Sequence, residues 1–210
     1  MSRTLNLKNL YAKKFNTYDF TAHWLSTMGK PESNGIWIIY GVEKNGKTWF
    51  CLKLAEYLSR FDKTLYLSAE EGTGKDFVAA CKRANLEAEN KNLQFLEYTP
   101  IDEVQAKLKK RGGAKIVFID NITVYQDELK YGKLRKLALE HPNILWVYVA
   151  HEEKQEPYTA TAKMAKKLAK VIVQVQGLAC FVSGRCPGGV ISIDQEKAML
   201  YHGMDNLKDK

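Results

Sequence analysis

Short apolar runs recur along the chain, and polar or glycine-containing segments separate them. Runs of five to seven mostly apolar residues are typical of strands buried on both faces, as in a parallel sheet. They predict strands at residues 36–40, 64–68, 93–98, 115–120, 144–150 and 171–176. Between several of these runs the apolar residues recur every three to four positions, which predicts amphipathic helices. These helices are expected at residues 48–61, 76–87, 101–111 and 131–141.

The alternation of strands and helices predicts an α/β fold, with a mostly parallel central sheet flanked by helices. After residue 170 the pattern becomes strand-like with glycine turns and without a helix, so antiparallel strands are expected at the C-terminal edge. We therefore predict a leader at residues 1–34, an α/β domain at 35–202 and a polar tail at 203–210. The leader is expected to pack on the domain through its aromatic residues. These are Tyr11, Phe15, Tyr18, Phe20 and Trp24.

Composition narrows the classes of protein. The chain has 210 residues, 45% of them hydrophobic, which suits one substantial core. It contains no apolar run long enough to cross a membrane and no signal-peptide pattern, so a cytoplasmic location is expected. The four cysteines are scattered, which argues against a zinc site and a disulfide framework. A net charge of +8 favours polyanionic partners without identifying one.

Residues 41–48 read GVEKNGKT and fit the pattern of a phosphate-binding loop, G-x-x-x-x-G-K-[ST]. The segment follows the first predicted strand and begins the first predicted helix, so backbone N–H groups and the helix N-terminus would face phosphate oxygens. Lys47 would reach the β and γ phosphates of ATP, and the Thr48 hydroxyl would bind Mg²⁺. The predicted nucleotide-binding residues are Gly41, Val42, Glu43, Lys44, Asn45, Gly46, Lys47, Thr48 and Trp49.

A magnesium nucleotide site also needs a carboxylate near the metal. Asp120 ends the apolar run KIVFID, which is the Walker B pattern and predicts a metal role. No glutamate follows it directly, so a catalytic base must come from elsewhere. Glu70 and Glu71 follow the second strand and would face the same crevice, and the residues alone leave the choice between them open.

In four segments, GVEKNGKT, LYLSAEEG, KIVFIDNIT and WVYVAHEE, the chain resembles the RecA-like P-loop ATPases, which include recombinases and hexameric replicative helicases. The resemblance covers roughly residues 34–200. It implies a RecA-like fold, with Glu70 as the catalytic base and His151 as the polar sensor of the γ-phosphate. It also implies that Arg185 acts on the nucleotide of a neighbouring subunit, although Ser183 stands where some helicases carry a second basic residue.

The resemblance further implies a homo-oligomer, either a ring or a filament, that binds single-stranded DNA. The segment after the sensor strand is rich in lysine, and such loops face the DNA in this family. The predicted contacts are Lys163, Lys166 and Lys167, with Lys170 close by. The same lysines also fit the solvent face of an ordinary amphipathic helix.

Several alternatives follow from the same sequence. The Asn-Lys-x-Asp motif of GTPases and the Leu-Ser-Gly-Gly-Gln signature of transporter ATPases are absent from it. A small-molecule kinase would use the same phosphate loop, but the sequence shows no helical lid. A third alternative is an assembly module, in which ATP binding drives association without turnover.

Overall fold

The computed structural model describes residues 4–203, so the predicted tail lies outside the described residues except for Gly203. The strands are β1 (Gly35–Gly41), β2 (Thr64–Ser68), β3 (Leu93–Leu96), β4 (Ile116–Asp120), β5 (Leu145–Glu153), β6 (Glu156–Pro157), β7 (Val171–Gln176), β8 (Ala179–Gly184) and β9 (Gly189–Ser192). The helices are α1 (Leu7–Tyr11), α2 (Ala22–Met28), α3 (Lys47–Leu58), α4 (Lys75–Arg83), α5 (Ile101–Leu108), α6 (Gln126–Leu129), α7 (Lys133–Glu140), α8 (Ala160–Leu168) and α9 (Gln195–His202). None of these helices in residues 4–203 has the length and apolar character needed to cross a bilayer.

The strands form one sheet in the order β3-β2-β4-β5-β1-β7-β8-β9, and β6 pairs with β5. The strands from β3 to β7 in this order are parallel, whereas β8 and β9 are antiparallel additions beside β7. The predicted α/β fold with antiparallel strands at the C-terminal edge is therefore confirmed.

Both faces of the sheet are covered, which explains the continuous apolar runs. Trp37 and Ile39 of β1 belong to a core with α3 and α4, while Ile38 and Tyr40 belong to a second core on the opposite face. All four side chains are at most 4% exposed. Side chains alternate between the two faces along a strand, so a strand covered on both sides is apolar at consecutive positions.

Two local predictions were wrong. The segment after residue 170 contains a helix, α9, which begins after Asp194; the Asp194 carboxylate accepts a hydrogen bond from the Lys197 N–H at 3.2 Å. The segment after β4 was read as a loop, but it forms a 3-10 turn, Ile122–Tyr125, followed by α6. Ile122 and Tyr125 are fully buried, so packing on the sheet stabilises this turn.

The leader is divided by its contacts. Tyr18, Phe20 and Trp24 are buried in the core on the α3 side of the sheet. Tyr11 and Phe15, which were also expected to pack, are 80% and 61% exposed. Helix α1 has no buried residue, so the first part of the described leader does not pack on the domain.

Candidate nucleotide-binding site

The predicted phosphate loop lies between the C-terminal end of β1 and the N-terminus of α3. A Cβ atom on Gly41 would lie 2.2 Å from the Val175 carbonyl oxygen, so β1 approaches β7 too closely for any other residue. Gly46 has φ 96°, in the left-handed region that favours glycine, and a Cβ there would lie 2.6 Å from Leu178 Cδ2. Both motif glycines are therefore required by the backbone.

The turn between β7 and β8 holds the loop in place. The Gly177 N–H donates to Asn45 Oδ1 at 2.8 Å, and the Leu178 N–H donates to the Asn45 carbonyl at 3.3 Å. Asn45 Nδ2 in turn donates to the Glu43 carbonyl at 3.0 Å. Lys44, between them, adopts φ 60°. The loop shape thus depends on residues about 130 positions further along the chain.

Lys47 is buried at the start of α3. Its Nζ donates to the Val42 carbonyl at 2.9 Å. Burial lowers the pKa of Lys47, and the nearby carboxylate of Asp120 opposes this effect. The chain thus places a buried ammonium group and the N-terminus of α3 at the same point, an arrangement suited to phosphate oxygens.

Asp120 lies at the end of β4, level with Ser68 of β2. Its carboxylate accepts a hydrogen bond from the Tyr66 hydroxyl at 2.5 Å. Burial raises the pKa of Asp120 to about 6; the Tyr66 hydrogen bond opposes the shift, and Glu71 and Glu70 add to it. A buried carboxylate beside two other carboxylates is an environment that a divalent cation would stabilise.

Glu70 and His151 meet across the sheet edge. His151 Nε2 lies 3.0 and 3.1 Å from the two carboxylate oxygens of Glu70. The Glu70 side chain is 47% exposed and His151 25%, so the pair sits at the mouth of the site. Glu71 is exposed and faces the same pocket. The structure therefore brings the predicted base and the predicted sensor into direct contact.

One pocket of about 640 Å³ contains most of the predicted site. The predicted residues that line it are Glu43, Lys44, Gly46, Lys47, Thr48, Trp49, Glu70, Glu71, Asp120 and His151. The buried ammonium of Lys47, the Thr48 hydroxyl and the Asp120 carboxylate fit a magnesium nucleotide. Gly41, Val42 and Asn45 shape the loop without lining the pocket.

Sequence reasoning missed part of the pocket wall. Asp76, Ala80 and Arg83 lie on one face of α4 and line the pocket, and Lys197 of α9 lines it from the other end of the chain. The Arg83 guanidinium lies 5.7 Å from the centre of the Trp49 ring. The spacing of four and three residues on α4 was a readable signal for a shared face. Lys197 could not be found because α9 was not predicted.

Arg185 lies far from the phosphate loop of its own chain. Gly184 pairs with Val171 at the start of β7, whereas Gly41 pairs with Val175 near its end. These two positions on β7 are about 13 Å apart along the strand. Arg185 is exposed in the turn after β8, so it cannot serve the nucleotide site of its own chain. Its action on a neighbouring subunit stays a prediction.

The lysines after the sensor strand fall into two pairs. The four are Lys163, Lys166, Lys167 and Lys170. Lys166 Nζ lies 3.0 Å from both a Glu156 carboxylate oxygen and the Tyr40 hydroxyl, and Lys170 pairs with Glu32 at 2.9 Å. The other two are exposed on α8 and form no ion pair with any residue in 4–203. Only this second pair is available to an external partner without breaking internal contacts.

The raised pKa of Asp120 predicts a pH-dependent cost to stability. The folded value is about 6 and the ordinary value 3.8, so the folded state holds the proton more tightly. The destabilising effect is therefore fully present above pH 6 and disappears as the pH falls towards 4. Without Mg²⁺ and nucleotide, Asp120→Asn should raise the free energy of unfolding at pH 8 by up to about 3 kcal/mol, and by little at pH 4.

Thermal unfolding of wild type and Asp120→Asn at both pH values tests this expectation. Asp127→Asn is the matched control, because Lys130 lowers the pKa of this exposed carboxylate and its replacement should give no gain at pH 8. An equal gain for Asp120→Asn at both pH values would contradict the expectation.

Comparisons with known structures agree with this geometry. The sequence matches no protein-family model and no curated protein sequence. The flagellar accessory protein FlaH from Methanocaldococcus jannaschii superposes with a TM-score of 0.60 at 16% identity, over 84% of this chain and 91% of that chain. A KaiC-like protein from Pyrococcus horikoshii OT3 gives 0.57 at 13% identity, over 78% and 84%. The chain has a RecA-like P-loop ATPase fold.

A third RecA-like structure, the ATPase domain of a DnaB-like helicase, matches with a TM-score of 0.52 at 15% identity, over 79% of this chain and 83% of that chain. At such identities the likeness concerns the RecA-like fold. The resemblance stated from the four sequence segments is therefore confirmed at the level of the fold.

Proposed function

We propose that this protein is a Mg²⁺-dependent ATPase that acts on DNA in replication or recombination, either helicase-like or as a strand-annealing or recombinase-like protein. The observation that carries the proposal is the meeting of Lys47, Asp120 and the Glu70–His151 pair around one pocket. We assign residues 35–202 to the ATPase domain and residues 1–34 to a leader.

In this proposal the phosphate loop and Lys47 bind the phosphates, and Thr48 and Asp120 hold Mg²⁺. When bound, Mg²⁺ neutralises negative charge on the phosphate oxygens. Glu70 accepts the proton of the attacking water at a carboxylate oxygen. His151 orients Glu70 through the contact at 3.0 Å and lies where the γ-phosphate would reach it. This arrangement supports hydrolysis more directly than transfer to a second substrate.

Assembly would complete the site. We propose that Arg185 stabilises transition-state charge on the nucleotide of a neighbouring copy, since it cannot reach its own site. A homo-oligomeric ring or filament follows from this assignment. The proposal for DNA rests on the net charge of +8 and on exposed Lys163 and Lys167, which suit phosphate contacts that do not read sequence.

A second candidate function is an assembly module that binds ATP without turnover. The direct contact between Glu70 and His151 favours this reading in one respect, because a base held by its sensor has fewer free lone pairs for water. The DNA-independent kinase has no such supporting contact among the described residues.

ATP hydrolysis measured with and without single-stranded DNA tests the proposal. We expect DNA to stimulate hydrolysis, Lys47→Ala to abolish it, and Lys163→Ala with Lys167→Ala to remove the stimulation while keeping the basal rate. Lys13→Ala with Lys14→Ala removes the same charge from the exposed leader and should leave the stimulation unchanged. ATP binding without hydrolysis under all conditions would favour the assembly module, and hydrolysis that ignores DNA would remove DNA from the proposal.

A further inference from the structure

A second concave surface lies at the edge of the sheet, between the edge strand β3 and helix α5. It is a groove of about 620 Å³, lined by residues of β2, β3 and α5 and by the turn after α5. Leu65, Leu96 and Leu108 supply an apolar floor. The groove starts beside the first residues of the parallel strands, whereas the phosphate loop follows the last residue of β1. The two sites therefore occupy opposite ends of the sheet.

The charge of this groove is one-sided. Four of its lining residues are cationic, namely Lys63, Lys107, Lys110 and Arg111, and its lining includes no Asp or Glu. None of the four forms an ion pair with another residue in the described range 4–203. The nucleotide pocket, by contrast, contains several carboxylates. Unpaired cations that line one concavity create a positive potential that attracts an anionic partner.

The preference of helix C-termini for basic residues does not account for this cluster. Helix α5 ends at Leu108, and Lys107 is the basic residue of its last turn. Lys110 and Arg111 lie beyond the helix, in a turn whose shape is fixed: the Gly113 N–H donates to the Lys110 carbonyl at 2.9 Å. A Cβ on Gly113 would lie 2.3 Å from the Leu108 carbonyl oxygen. A defined turn thus presents these two cations at the groove.

We propose that this groove binds the phosphodiester backbone of a nucleic-acid strand. Its cations face one another across a concavity, which suits a narrow polyanionic chain; a flat bilayer surface would instead need cations on a convex face. Exposed Lys109 and Lys115 flank the groove and extend the positive surface. This second site extends the proposed action on DNA, but it is independent of hydrolysis and of the lysines on α8.

The test measures binding of a fluorescently labelled 30-nucleotide single strand by anisotropy, at several salt concentrations and without ATP. Lys110→Ala with Arg111→Ala should weaken binding roughly tenfold near 100 mM salt and reduce the slope of log K against log salt by about 1.4, since each phosphate contact on a single strand contributes about 0.7. Lys13→Ala with Lys14→Ala is the matched control, because these residues are also adjacent, exposed and basic. It should leave affinity and slope unchanged.

A second variant, Lys63→Ala, reports on the opposite wall of the groove and should also lower affinity and slope. Unchanged DNA binding by both groove variants would overturn the proposal, as would equal losses in the Lys13 and Lys14 control. A loss confined to binding of phosphatidylserine vesicles would assign the groove to membranes and overturn it too. Basal ATP hydrolysis separates the two proposals: the groove variants should keep it, and Lys47→Ala should lose it while still binding DNA through the groove.

Discussion

Glu70→Gln is expected to reduce ATP turnover by about 10²–10⁴-fold while nucleotide binding is kept, because the amide cannot accept the proton of the attacking water. Glutamine has the same shape, and its amide oxygen can still face His151 Nε2, which lies 3.0 Å from Glu70 in the structure. The loss should therefore appear in the chemical step. Single-turnover hydrolysis, together with a fluorescent nucleotide-binding assay, measures the two quantities separately.

Glu71→Gln is the matched control for this experiment. Glu71 is the next residue, is also exposed and lines the same pocket, but the contact with His151 is made by Glu70. It should keep most of the turnover. If Glu71→Gln lost activity and Glu70→Gln did not, Glu71 would be the base. If neither lost activity, no carboxylate of this segment would act in hydrolysis.

Gly41→Ala is expected to destabilise the fold and abolish nucleotide binding. The new Cβ would lie 2.2 Å from the Val175 carbonyl oxygen, and this backbone atom belongs to a central strand that cannot move aside freely. Overpacking of this kind costs about 3 kcal/mol. For a chain of this length such a cost lowers the melting temperature by roughly 6–12 °C. Thermal unfolding and nucleotide binding are the measurements.

Gly74→Ala provides the comparison. No heavy atom lies within 4 Å of a Cβ at Gly74, so space is available there. Its φ of −69° is accessible to alanine, and replacing glycine before a helix costs only a few tenths of a kcal/mol. Similar melting temperatures for the two variants would show that the contact between Gly41 and β7 is not as tight as the structure has it.

The sequence predicted those parts of the fold in which pattern and burial agree. The runs at 64–68 and 171–176 were predicted with their observed bounds, because each strand is apolar, or alternates cleanly, up to its last residue. Helix α9 was missed because its apolar residues are not concentrated on one face: Leu200 is 87% exposed, while Ala198 is fully buried. Local pattern cannot identify a helix whose packing depends on one small residue.

The candidate site divides in the same way. Lys47, Thr48 and Asp120 were predicted because their roles follow from a local motif and a strand end. The contact between Glu70 and His151 joins residues 81 positions apart, and the order of the strands β2, β4 and β5 creates it. The wall formed by Arg83 and Lys197 likewise needs the three-dimensional fold. Sequence identifies groups with a chemical role, whereas topology decides which of them meet.

The bond between Asn45 and Gly177 defines the smallest unit that can be expected to bind a nucleotide. A chain cut after Gln176 would keep every parallel strand and the whole GVEKNGKT segment, yet it would lack the two N–H groups that brace Asn45 and the Leu178 side chain that lies against Gly46. The octapeptide is therefore not a self-sufficient module. Truncations, fusions and insertions at the β7–β8 turn act on the phosphate loop as directly as mutations within it.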